Sequence, residues 1–159
     1  MIKKVRVDFR LIHGQVLYSW VKAVDSNNII ILDDELVNNE VKKRMMRLCV
    51  SPFIKYEIYS VKDGIEVLKN TNADKNKRYL VLTSDIISAL SVCNELELSS
   101  FNIGETVYSV SKQKIAKSVY ITEEEKIEMN NYIKNGNTIE IQQVWNSKKL
   151  VYNNKKFII

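Results

Sequence analysis

Apolar and polar positions change their period several times along the chain, and each change marks an element. Ile2, Val5 and Val7 alternate with Lys and Arg as far as Asp8, which predicts a first strand over 2–8. Val16, Leu17, Trp20 and Val21 then recur at helical spacing and predict a helix over 14–23. The continuous run Asn28-Ile29-Ile30-Ile31-Leu32, stopped by Asp33-Asp34, predicts a parallel strand buried on both faces and paired beside the first. Val41, Met45, Met46, Leu48 and Cys49 oppose Lys42, Lys43, Arg44 and Arg47, an amphipathic helix ended by Ser51-Pro52.

The alternation of strand and helix continues. A strand over 55–60 leads to a short helix over 61–68, and the polar stretch 70–77 reads as a surface loop. Residues 78–83 predict a fourth strand and 85–94 a fourth helix, capped by Ser84 or Asp85. Short strands follow at 100–103, before Gly104, and at 117–121. Thr122 with Glu125 forms a capping box that opens a helix terminated by Gly136. Residues 138–144 alternate as a last strand, and the apolar tail with Phe157, Ile158 and Ile159 is expected to pack as an edge strand or on a helix. This order predicts an α/β protein: an open three-layer α/β/α fold with a mostly parallel central sheet of about six to seven strands, helices on both faces, and antiparallel edge strands toward the C-terminus.

Composition narrows the class. A chain of 159 residues with 45% hydrophobic and 27% charged positions is expected to form a single domain over 1–159. No apolar run approaches the roughly 18–20 residues of a spanning helix, and the charged start MIKKVRVDFR has no signal-type apolar core, so a cytoplasmic location is expected. The net charge of +5 comes from scattered Lys and Arg without a recognition motif. It therefore favours an acidic protein partner or a phosphate over nucleic acid. Cys49 and Cys93 are far apart and lack metal-type spacing, so both are expected as buried reduced thiols, and no metal site is predicted.

The chain's only histidine lies in Phe9-Arg10-Leu11-Ile12-His13-Gly14-Gln15-Val16, in the loop after the first strand. In open α/β sheets ligands collect at the carboxyl ends of strands near a topological switch point. His13 immediately precedes Gly14, the start of a helix whose free N–H groups favour an anion, and Arg10 offers a planar fork for phosphate oxygens. Asp8 at the strand end could orient the ring or Arg10, leaving one ring nitrogen as a nucleophile toward phosphorus. The same histidine could instead simply cap or pack. No GxGxxG or Walker pattern occurs, so no nucleotide cofactor is expected.

These residues also carry a family resemblance. Val7-Asp8-Phe9-Arg10-Leu11-Ile12-His13-Gly14-Gln15-Val16 resembles the D-x-R-L-I-H-G-Q-V signature of the IIB components of the mannose/fructose/sorbose family of the bacterial phosphoenolpyruvate-dependent sugar phosphotransferase system. Ile29-Ile30-Ile31-Leu32-Asp33-Asp34-Glu35, Asn102-Ile103-Gly104 and the segment 114–122 resemble further family segments, in order. The resemblance implies a cytoplasmic phosphoryl carrier, peripherally associated with the membrane. It would accept the group on Nδ1 of His13 from a phosphohistidine of a IIA protein or domain. It would then deliver it to a hexose-type sugar entering through membrane IIC and IID subunits, without metal or nucleotide. Arg10 and the backbone N–H groups of Leu11, Ile12 and Gly14 would bind the phosphoryl oxygens, with Asp8 and Gln15 supporting. Arg6 and Lys22 are expected on a basic docking surface. A non-phosphorylated regulatory or partner-binding module of the same fold is the alternative, and a homodimer is left open.

Three positions depart from the family pattern. Phe9 stands where many members carry a second Asp, Glu105 where a second glycine is common, and Trp145 where proline is frequent. Asp33-Asp34-Glu35 and Ser84-Asp85 also end strands near the active edge, with helix capping as their preferred role. Met45, Met46 and Trp20 are expected in the core.

Overall fold

The structure is a computed structural model that describes residues 1–50, 54–70 and 76–153. Ser51-Pro52, most of the expected loop at 70–77, and Phe157, Ile158 and Ile159 lie outside the described residues. Among the described residues seven strands form one sheet in the order β3-β2-β4-β1-β5-β8-β9. They are β1 (Ile2–Asp8), β2 (Asn28–Leu32), β3 (Lys55–Tyr59), β4 (Tyr79–Thr83), β5 (Ser100–Glu105), β8 (Thr138–Ile141) and β9 (Leu150–Val151). All neighbours run parallel except the edge pair β8 and β9.

Helices cover both faces, and the period-2 alternation of the strands divides the core between them. Ile30, Leu32, Val81, Val5 and Val7 face a cluster shared with α2 (Val61–Asn70), α3 (Ile86–Glu95) and α4 (Glu123–Lys134). Ile29, Ile31, Leu80 and Leu82 face the other, built with Leu11, Ile12, Val16, Trp20 and Leu36. The predicted helix at 14–23 forms, but its centre, Val16–Val21, is a π-helical turn. A widened turn of that kind re-aims side chains. Here Trp20 is fully buried and donates Nε1 to the Gln143 carbonyl at 3.1 Å.

The structure corrects the sequence reading in several places. β2 does not pair with β1; β4 lies between them and is hydrogen-bonded to both. Both β2 and β4 are buried along their whole length, so their apolar runs fit a central position without saying which neighbour each takes. The strand expected at 117–121 begins at Val119, because Ser118 adopts φ 60° in a turn that pairs β6 (Gln113–Ala116) with β7 (Val119–Ile121) as an antiparallel hairpin outside the main sheet. On α1 (Glu40–Cys49) Met45 is 63% exposed, and only Met46 of the expected methionine pair packs inward. Lys43 and Met46 are half-buried on this helix, whereas Val41, Met45 and Leu48 face solvent.

Other local expectations hold. Thr122 and Glu125 form the reciprocal capping box of α4, and Gly136 takes the left-handed conformation, φ 85°, just beyond its end. Asp85, not Ser84, caps α3 by accepting the Ser88 N–H at 2.8 Å. Cys93 is buried and reduced, and burial pushes its thiol up to about 12.

Candidate functional site

β1 carries the chain to its carboxyl end at Asp8 and leads away toward β2, whereas its neighbour β5 leads the opposite way toward β8. The β1/β5 edge is therefore a switch point of the sheet. The two strands pair Val7 with Ile103 and then Asp8 with Glu105, so Gly104 is the extra residue of a bulge. That bulge makes room for Arg6. A Cβ on Gly104 would lie 1.9 Å from an Arg6 guanidinium nitrogen, so any other residue there would displace the guanidinium.

Arg6 was expected on a docking surface and is instead fully buried. Its guanidinium donates to Asp8 Oδ2 at 2.9 Å, to the carbonyls of Gln142 and Gln143 at 2.9 Å each, and to Asn102 Oδ1. It also lies 4.5 Å over the Trp20 ring. The alternation in β1 pointed Arg6 outward, but a central strand has no solvent side at its carboxyl end. The one signal available from sequence was a charged residue inside a strand whose apolar neighbours all belong to the core.

Asp8 gathers three donors. Oδ2 accepts from Arg6 and stands 3.0 Å from Nε2 of His13, while Oδ1 accepts the Arg10 N–H at 3.2 Å. Burial alone would raise this carboxyl; the hydrogen bond to His13 and the charge of Arg6 outweigh it and hold Asp8 below the ordinary carboxylate range. With Nε2 committed, Nδ1 is the nitrogen of His13 that has no partner among the described residues. The His13 side chain is 16% exposed.

The loop between Asp8 and His13 is fixed by its own chain. The Leu11 N–H donates to the Asp8 carbonyl at 2.8 Å, and Leu11 adopts φ 56°, outside the usual range for a branched side chain. That bond removes Leu11 from the expected set of phosphate donors. Leu11 and Ile12 bury their side chains in the core beneath the loop. Gly14 opens the helix, whose first N–H groups have no acceptor one turn back.

Arg10 is the accessible cation of the site, with its side chain 40% exposed. Its guanidinium pairs with Glu105 Oε2 at 2.6 Å and reaches Gln15 Oε1 at 3.5 Å. Glu105, one of the three departures, is almost buried and accepts a second bond from Gln143 Nε2. Trp145 stacks edge-on against Trp20, 5.4 Å between centroids, and Phe9 lies beneath the Arg10 guanidinium.

Asp33, Asp34 and Asp85 serve the backbone: Asp33 accepts the Leu36 N–H at 2.6 Å, Asp34 the Val61 N–H at 2.8 Å, and Asp85 caps α3. Glu35 pairs with Lys42. Asp33, Glu35, Ser84 and Asp85 nevertheless line an open cleft with Phe9 and Arg10, next to the histidine loop. Among the described residues no cluster of three or more His, Cys, Asp or Glu side chains is placed to hold a metal.

The fold and this edge together define an open α/β protein that presents one carboxylate-held histidine at the switch point of a parallel sheet. Comparison with known proteins supplies the family. The chain belongs to the sorbose subfamily of IIB components of the sugar phosphotransferase system, whose model matches residues 2–157. A probable phosphotransferase enzyme IIB component of Streptococcus pyogenes is 31% identical over 65% of this chain and 63% of its own length. The sorbose-specific EIIB component of Klebsiella pneumoniae is 27% identical over 72% of this chain and 70% of its own. The chain spans about half, 46%, of the mannose-specific EIIAB component of Escherichia coli, at 25% identity. In structure it is similar to the IIBSor domain of the sorbose permease from Klebsiella pneumoniae, with a TM-score of 0.85, 24% identity, and 94% and 92% of the two chains covered.

Proposed function

We propose that this chain is a phosphoryl carrier whose acceptor is Nδ1 of His13. The observation that carries the reading is the 3.0 Å contact between Asp8 and Nε2. It supports a ring that keeps its proton on Nε2 and offers the Nδ1 lone pair for attack. In loading, that pair forms the new N–P bond while the N–P bond of a phosphohistidine on IIA breaks and its electron pair returns to the donor ring. In discharge, a sugar hydroxyl oxygen attacks phosphorus and gives its proton to solvent water, while the N–P pair returns to Nδ1. Transfer between imidazoles is close to isoenergetic, so the work of the site is positioning and charge stabilisation.

Arg10 and the N–H groups of Ile12 and Gly14 supply that stabilisation, with Gln15 holding Arg10 and with Asp8 anchored from behind by Arg6. The relay needs no nucleotide or metal. IIA is the donor, and the chain hands the group to a sugar at membrane IIC and IID subunits, on the cytoplasmic side. No helix among the described residues is long and apolar enough to cross a membrane.

The test is intact-mass measurement after incubation with phosphorylated IIA. Wild type gains one acid-labile phosphoryl group and His13→Ala gains none. A label retained by His13→Ala overturns the assignment. A wild-type chain that binds IIA and never takes the label would instead make it a partner-binding module.

A further inference from the structure

The second carboxylate of the site belongs to Glu105, and its partners make it the fixed member of a pair. Its Oε1 is held by Gln143, whose carbonyl in turn accepts from the buried Arg6 and Trp20, and the Glu105 backbone carbonyl accepts the Phe9 N–H at 3.2 Å. Arg10, by contrast, is reached by solvent along its side chain. When Arg10 and Glu105 meet at 2.6 Å, the arginine is the group able to leave.

The charge balance gives this pair a consequence. Asp8 is neutralised by Arg6, and Glu105 by Arg10, so two guanidinium groups face two carboxylates at the sheet edge. The edge therefore offers a phosphoryl group no net positive charge, and Glu105 competes with any oxyanion for the Arg10 guanidinium nitrogen that it faces. A glycine at 105 would remove this ion pair and leave Arg10 with Gln15 at 3.5 Å and Asp8 at 4.0 Å.

We propose that Glu105 is a positioning residue that parks Arg10 and competes with phosphoryl oxygens for its guanidinium, so that the site holds phosphate loosely and releases it readily. This rests on the reading of His13 as the acceptor, but the competition itself concerns only Arg10 and an oxyanion. Gln at 105 retains the shape and the contact with Gln143 and removes the charge. It frees Arg10 without opening a cavity.

Inorganic phosphate is the probe, titrated at low, fixed ionic strength and followed by the NMR shifts of the His13 ring and the Gly14 amide. Glu105→Gln is expected to bind phosphate about three- to tenfold more tightly than wild type, the scale of one partly solvated charge pair. Damage to the site would weaken binding, so a gain separates parking from a structural role. In an Arg10→Gln background the same change is expected to give a smaller gain, because the competitor's object is gone. Unchanged or weaker phosphate binding by Glu105→Gln, including none at all, overturns the proposal. So does an equal gain with and without Arg10, which would reduce Glu105 to a background charge. A companion arm loads His13 with phosphoramidate and follows loss of the label, expected to be slower in Glu105→Gln. Failure of His13 to take a label from phosphorylated IIA would remove the carrier reading and leave the phosphate result to judge the pair by itself.

Discussion

Asp8 holds Nε2 of His13 at 3.0 Å while accepting the Arg6 guanidinium through the same oxygen. The imidazole is thus not merely near a carboxylate. It is tied, through Asp8, to a buried arginine that is itself clamped by carbonyls of the segment after β8 and by Asn102 of β5. Ring orientation and sheet packing become one problem, and substitutions behind the histidine are expected to act on both.

Asp8→Asn retains the volume of the side chain and removes the charge facing Arg6. Breaking a buried ion pair by neutralising one member leaves the other uncompensated and costs about 3–5 kcal/mol. The urea midpoint of Asp8→Asn should fall accordingly. Phosphoryl uptake by the folded fraction should slow by about a hundredfold or more, because an amide no longer selects the tautomer with its proton on Nε2. Uptake at the wild-type rate would show that Asp8 does not orient the ring.

The same carboxyl sets a pH dependence with a definite sign. Its pKa is lower in the folded chain than in the unfolded one, where a carboxyl of this type titrates near about 3.9. Its contribution is therefore fully present above the unfolded value and is lost as pH falls through the folded value. Urea midpoints of wild type and Asp8→Asn should differ by a constant amount at neutral pH and converge below about pH 4. A gap that widens on acidification would contradict the direction of the shift.

Gly104→Ala places a methyl group where the Arg6 guanidinium lies, 1.9 Å from its nearest nitrogen. Overpacking of this kind costs about 1–3 kcal/mol, and the displacement of Arg6 also loosens Asp8. Gly14→Ala is the contrast, since its Cβ would meet only Tyr18 at 3.9 Å in a helical turn. There alanine should leave stability unchanged or raise it by up to about 1 kcal/mol. Thermal melting of the two variants reads both signs.

How much of this was legible follows the range of the interactions. Thr122 with Glu125 and a cap at Ser84 or Asp85 are local and formed as the pattern indicated, while the helix through Val16 and Trp20 formed with a π-helical centre. His13, Arg10 and Asp8 were legible because they lie within six positions of one another at a strand end. Arg6 was misplaced because what buries it comes from far along the chain: Asn102 is 96 positions away and Gln143 is 137. The position of β4 between β2 and β1 has the same origin, since two fully buried, mainly apolar strands are interchangeable until the sheet is assembled. Glu105 was visible as a departure, but its pairing with Arg10 required the β1/β5 register.

The apolar residues of α1 and Trp20 separate pattern from packing. Val41, Met45 and Leu48 repeat at helical spacing and read as a core stripe, yet they are 69%, 63% and 89% exposed. Substituting Gln at Met45 or Leu48 removes little buried surface and should leave stability within about 0.5 kcal/mol of wild type by urea unfolding. Trp20 has no exposure, gives its Nε1 proton to the Gln143 carbonyl and backs the Arg6 guanidinium. Trp20→Ala combines a cavity with a lost donor and should cost about 3–5 kcal/mol. Because Gln143 also holds Glu105, this variant is further expected to loosen the Arg10 pair from behind. A Met45→Gln cost as large as that of Trp20→Ala would mean that α1 packs against something on its outer face, and urea unfolding at several chain concentrations would show whether a second copy supplies it.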